Sequence, residues 1–145
     1  MKTPQLQNII LEFQNEHTAI ITLLKTIFPL LEKEKISQHA DLLITHLKHL
    51  IQDLITHLIR EDYDLYPILT ESEDPTLKQI GLESLRELGE LSMQFLQYEN
   101  NWLQKKTLLE NSNKFLENTL PLLNNLMRRI NFEEGTIFVL LTQDT

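Results

Sequence analysis

The sequence predicts an all-α fold, an up-down-up-down four-helix bundle formed by a single domain over residues 1–145, and three observations predict it. Apolar residues recur at three- and four-residue spacing through four long segments. Leucine and isoleucine dominate the apolar set, while glycine, valine and proline are scarce, a composition that favours helices over sheets. The segments between the periodic runs are short, as in a bundle whose neighbours run antiparallel.

Thr3 before Pro4 reads as an N-cap with proline at the first helical position. The first stripe then follows through Ile9, Ile10, Phe13, His17, Ile20, Ile21, Leu24, Ile27 and Phe28, and Pro29 ends it. His17 stands in the middle of that apolar face. Ser37 is expected to cap a second helix carrying Leu43, Leu47, Leu50, Leu54, Leu58 and Glu61 and stopping near Tyr66-Pro67. TESEDPT is a solvated turn in which Asp74-Pro75 repeats the cap-plus-proline signal. The third helix runs from there to about Trp102 through Ile80, Leu85, Leu88, Leu91 and Phe95. Gly81 and Gly89 weaken it but permit close approach of a neighbour. Asn111-Ser112-Asn113 begins a fourth helix with Phe115, Leu122, Leu126, Ile130, Phe132 and Ile137 on its stripe. Pro121 is expected to bend that helix or to mark a separate preceding segment.

The chain of 145 residues carries a formal charge of −8, which argues against a nucleic-acid backbone or an anionic membrane as partner. A metal ion, or a protein partner with a basic surface, is the expected alternative, and no pattern sets an oligomeric state. Cysteine is absent, so disulfides and zinc-thiolate sites are excluded. The start does not read as a signal peptide and no apolar run approaches a membrane span, so a cytoplasmic protein is expected. With no cysteine, no glycine-rich phosphate loop and no serine beside a histidine and an acid, an enzyme is not expected.

The chemistry concentrates in HLIREDYDLYP, residues 57–67. His57 and Glu61 are four apart, one turn from each other on one helix face, where imidazole and carboxylate can close on one metal ion. Glu61 continues the apolar stripe, so it needs a buried partner. The two halves of the chain repeat this frame. Glu16-His17 is followed 40 residues later by His57-x-x-x-Glu61-Asp62-x-x-Leu65-Tyr66. Glu87-Leu88 is followed 41 residues later by Arg129-x-x-x-Glu133-Glu134-x-x-Ile137-Phe138. Leu88 and Arg129 thus stand where the first half has histidines, and no histidine follows position 57.

EHTAI with HLIREDYDLYP resembles the hemerythrin-type cation-binding (HHE) domain, whose pattern is E-H-x-x-I followed by H-x-x-x-E-E-x-x-L-Y/F-P. The resemblance implies a di-iron centre in the bundle core. It makes His17 and His57 ligands of one iron and Glu61 and Glu133 bridging carboxylates. The other iron would lack its imidazoles, at Leu88 and Arg129. Two cations could then neutralise Glu61 and Glu133. One is a single iron, manganese or zinc ion held by His17, His57, Glu61 and Glu133. The other is the Arg129 guanidinium bridging both carboxylates in a metal-free core. Either gives a hemerythrin-like binding or sensing protein with an incomplete site.

His17 and His57 could instead be core histidines bonded to neighbouring carboxylates. His46 reads as a polar residue near one end of the bundle, His39 and His49 as surface residues, and Tyr66 and Phe138 as packing. A second resemblance, of RRINFEEGTIFVLL and DLITHLIREDYDLYPIL to the regulator-of-sigma-D family, implies an anti-sigma-type protein that binds a sigma factor through a bundle surface.

Overall fold

A computed structural model describes residues 4–143. The four long helices are α1 (Pro4–Ile27), α3 (Ala40–Asp64), α5 (Pro75–Trp102) and α7 (Ser112–Phe132). Short helices separate and follow them: α2 (Lys33–Gln38), α4 (Tyr66–Thr70), α6 (Lys105–Glu110) and α8 (Phe138–Thr142). Each long helix packs against the next, and α7 packs back against α1, which closes the bundle. Apart from a 3-10 turn (Phe28–Leu30) after α1 and a π turn (Glu133–Ile137) before α8, the two halves share the order long-short-long-short, so the internal repeat of the sequence is also a repeat of structure.

The periodic stripes are the core. Phe13, Ile20, Leu24 and Ile27 of α1 are buried with Leu43, Leu47, Leu50 and Leu54 of α3, Leu88, Leu91 and Phe95 of α5, and Phe115, Leu122, Leu126 and Ile130 of α7. Burying each such side chain stabilises the fold by roughly 1.5–3 kcal/mol. Asp74 caps α5 as expected, its side chain accepting a hydrogen bond from the Thr76 amide at 2.9 Å. Gly81 is buried where a Cβ would stand 2.7 Å from the Cβ of Leu69, so a glycine is required for α4 to lie against α5. Gly89 has no such neighbour.

Several local expectations are corrected. The Thr3 cap lies outside the described residues. Ser37 does not cap the second long helix. It lies inside α2, where its hydroxyl is satisfied by donating to the Glu34 carbonyl at 2.9 Å, and α3 begins only after the turn at His39. The second helix does stop just short of Tyr66-Pro67, at Asp64, but Tyr66–Thr70 then forms its own short helix, because Pro67 cannot continue the hydrogen-bond ladder of α3. Pro121 marks no separate segment, since α7 runs unbroken through it. Phe132 leaves the core stripe: it is 36% exposed and lies under the Arg129 guanidinium, 4.8 Å from its ring centroid.

One departure shapes the site. Glu133–Ile137 forms a π-helical turn in which the Phe138 amide bonds back to the Glu133 carbonyl. On a regular helix residues five apart point about 140° away from each other. The wider turn puts Glu133 and Phe138 on the same inward face, and both are buried. In the first half Glu61 and Tyr66, also five apart, are both turned inward by the break at Leu65.

Candidate metal centre

His17, His57, Glu61 and Glu133 come together in the core, each offering one ligand atom, all within 4.8 Å of one another. His17 comes from α1, His57 and Glu61 from consecutive turns of α3, and Glu133 from the π turn after α7. All four are at most 3% exposed. Four ionisable groups out of water would each cost several kcal/mol if left without partners, so their partners decide what the cluster is.

Both imidazoles are oriented from behind by a carboxylate. The His17 Nδ1–H donates to Glu134 at 2.6 Å, and the His57 Nδ1–H donates to Glu16 at 2.9 Å. Each ring therefore turns its Nε2 into the cluster, the arrangement that fixes the tautomer of a metal-ligating histidine. Arg60 anchors this support, pairing with Glu16 and, at 2.9 Å, with Glu12, its guanidinium 4.9 Å from the Phe13 ring centroid. His17 stacks on Phe138 at 5.6 Å and lies 4.7 Å from the His57 ring.

The carboxylates are not equivalent. Glu133 accepts from His17 Nε2 at 2.9 Å and from the Tyr66 hydroxyl. Neither oxygen of Glu61 accepts a hydrogen bond, and the partner left to it is the Glu133 carboxylate, which it meets only as a protonated carboxyl that donates. His57 Nε2 is 2.9 Å from Glu61 Oε1, yet both atoms lack a hydrogen-bond partner, so the contact is close without the alignment a hydrogen bond requires. The repeat explains the difference: Tyr66 supplies a hydroxyl to Glu133, whereas its counterpart Phe138 has none to offer.

Protonation follows these contacts. Burial and the neighbouring Glu133 push Glu61 well above the usual carboxylate range. Burial also works against ionisation of Glu133, but Glu61, His17 and Tyr66 beside it hold it below its ordinary value. Burial and the adjacent His17 lower His57 to about 4, so it is neutral at physiological pH. For His17 burial is outweighed by Glu133 and Glu134, and its pKa is raised. Protons thus sit where a metal ion would place its charge.

Arg129 does not bridge the two carboxylates. Its Nη1 donates to Glu87 at 3.1 Å and its Nη2 to the Tyr66 hydroxyl at 3.3 Å, which leaves the Tyr66 ring hydroxyl between the guanidinium and Glu133. The pairing Glu87–Arg129 repeats Glu16–His57 in the other half of the bundle. Leu88, the counterpart of His17, is buried.

A family model described as the hemerythrin HHE cation-binding domain matches residues 8–141. The chain belongs to the hemerythrin HHE family. Searches of curated proteins and of solved structures returned no match. No helix among the described residues is long and apolar enough to cross a membrane.

Within this HHE domain, Glu16, Glu134, Arg60 and Tyr66 carry roles that the sequence left unassigned. Glu16 and Glu134 were visible only as parts of the EH and EE pairs. Their cross-helix targets, 41 and 117 residues away, were not. Tyr66, expected only to pack, also bonds Glu133. His39 and His49 are exposed as expected, with His49 3.3 Å from Asp53, and His46 is half-buried.

Proposed function

We propose that this HHE domain binds one divalent metal ion of the iron, manganese or zinc class through His17, His57, Glu61 and Glu133, and serves as a binding or sensing protein rather than an enzyme. One observation carries the reading. His57 Nε2 is buried without a hydrogen-bond partner and no donor reaches either buried Glu61 oxygen, so that Glu61 meets its neighbour Glu133 only by holding a proton, inside a cluster of four side chains of metal-ligand type. Unpaired buried groups of that kind are costly, and a cation is the partner their chemistry fits. Two nitrogens and two carboxylates suit a borderline divalent ion. A single ion is favoured because Leu88 and Arg129 replace the histidines in the second half, and Arg129 is already engaged with Glu87 and Tyr66.

Such an ion would supply positive charge and Lewis acidity at the buried cluster. The protein's own contribution is to hold both imidazoles by Glu16 and Glu134 and to keep bulk water from the cluster. Elemental analysis of protein equilibrated with iron, manganese or zinc tests the reading. About one ion per chain is expected by mass action at a single site. His57→Ala should lose it, and chelator should lower the melting temperature of the wild type. Metal-free protein whose melting temperature is the same with and without chelator would overturn the proposal.

A further inference from the structure

The side of α5 turned away from the core carries a pattern that nothing in the monomer explains. Its buried face is Gly81, Ser84, Leu88, Leu91, Phe95 and Tyr98. On the opposite side Leu82, Met93 and Leu96 are 48%, 57% and 46% exposed, with Leu85 half-buried beside them. Gly89 stands at the centre of this stripe, and a Cβ there would meet nothing within 4 Å. Gly81 on the same helix is required by Leu69, but Gly89 has no intramolecular contact to make room for, although glycine is the weakest interior helix former after proline.

The residues around Gly89 are arranged symmetrically. Leu82 and Leu96 lie seven positions to either side, Leu85 and Met93 four, Arg86 and Ser92 three, Lys78 and Asn100 eleven. Seven and eleven residues are close to two and three full turns, so Lys78, Leu82, Leu96 and Asn100 fall within about 20° of Gly89 on the helix, with Leu85 and Met93 about 40° to either side. If a second α5 crosses antiparallel at Gly89, Leu82 of one copy meets Leu96 of the other and Leu85 meets Met93, twice over. That is the self-complementarity of an isologous twofold interface. Charge points the same way. A chain of net charge −8 repels its own copies, yet no acidic residue lies within about 60° of Gly89 on this helix between Lys78 and Asn100, and the flanking Glu90 is paired with Arg86 at 3.0 Å.

We propose that α5 is the interface of a homodimer, two copies crossing antiparallel at Gly89. Two helices that meet at a single crossing bury less than the roughly 800 Å² per partner of a standard interface, so the dimer is expected to be weak and concentration-dependent. Sedimentation velocity of the full chain from about 1 μM to about 1 mM tests this, with the mass rising from one chain to two. Leu82→Lys and Leu96→Glu, both at exposed positions, should each weaken association at least about tenfold. An equimolar mixture of the two variants should recover it, because the introduced ammonium of one chain then faces the introduced carboxylate of the other, while the second contact remains leucine on leucine. Gly89→Ala should raise the melting temperature of the dilute monomer and also weaken association. Single-chain mass throughout the range overturns the proposal, as does association indifferent to the three substitutions. A mixture that fails to recover overturns the antiparallel crossing.

Discussion

His57 Nε2 and Glu61 Oε1 lie 2.9 Å apart on consecutive turns of α3 without forming a hydrogen bond to each other. A pair held this closely without sharing a proton in line is set up for a third body beside them. Replacing Glu61 by Gln keeps the shape and removes the charge. The metal-free variant is expected to be at least as stable as the wild type in chelator, because the buried carboxyl no longer has to be kept protonated against its ordinary pKa. Its metal affinity should fall by at least about tenfold, as is typical when the shell around an ion is altered. Urea denaturation with chelator and titration calorimetry with the metal measure the two effects.

The pH dependence of the metal-free protein has a definite sign at His57. Its folded pKa is lowered from 6.5 to about 4, so the unfolded chain takes up a proton first as the pH falls. Stability from this group is therefore intact above pH 6.5 and lost as pH falls from 6.5 through 4, by a maximum of about 3 kcal/mol. Glu133, also depressed, adds its own loss at lower pH, while Glu61, which is raised, acts in the opposite sense. His57→Gln isolates the histidine term. The difference in unfolding free energy between pH 7 and pH 4, in chelator, should be smaller for the variant than for the wild type. An equal difference would remove the buried neutral imidazole from the account.

Tyr66→Phe removes the hydroxyl that joins Glu133 to Arg129. The ring itself is tolerated, as Phe138 occupies the equivalent place in the second half. The loss leaves a buried carboxylate oxygen and a guanidinium each short of one partner, at a cost of roughly 1–3 kcal/mol. Urea denaturation at neutral pH in chelator should show that loss, and Glu87→Gln, which removes a half-exposed partner of Arg129, should show less.

The two helical glycines of α5 should respond to alanine in opposite ways. Gly81→Ala forces a methyl against Leu69 Cβ and should destabilise by roughly 1–3 kcal/mol. Gly89→Ala places its methyl in open space within the monomer and should stabilise the dilute protein by roughly 0.5–1 kcal/mol. Thermal unfolding at low concentration distinguishes them.

By itself the sequence determined the helical stripes, the bundle they form, the repeat between the halves, and the inward placement of His17, His57 and Glu61. Periodicity carries that information, because a residue on a helix shares a face with those three and four positions away whatever the rest of the chain does. Glu133 was legible only through the repeat and the family pattern, since five-residue spacing to Phe138 requires the π turn, which no local propensity announces. The interhelix contacts were decided by tertiary structure alone. Which carboxylate backs which imidazole, and whether Arg129 reaches Glu61, depend on how α1, α3, α5 and α7 are rotated against one another. Arg129 turned to Glu87 and Tyr66, leaving Glu61 with no donor to its oxygens.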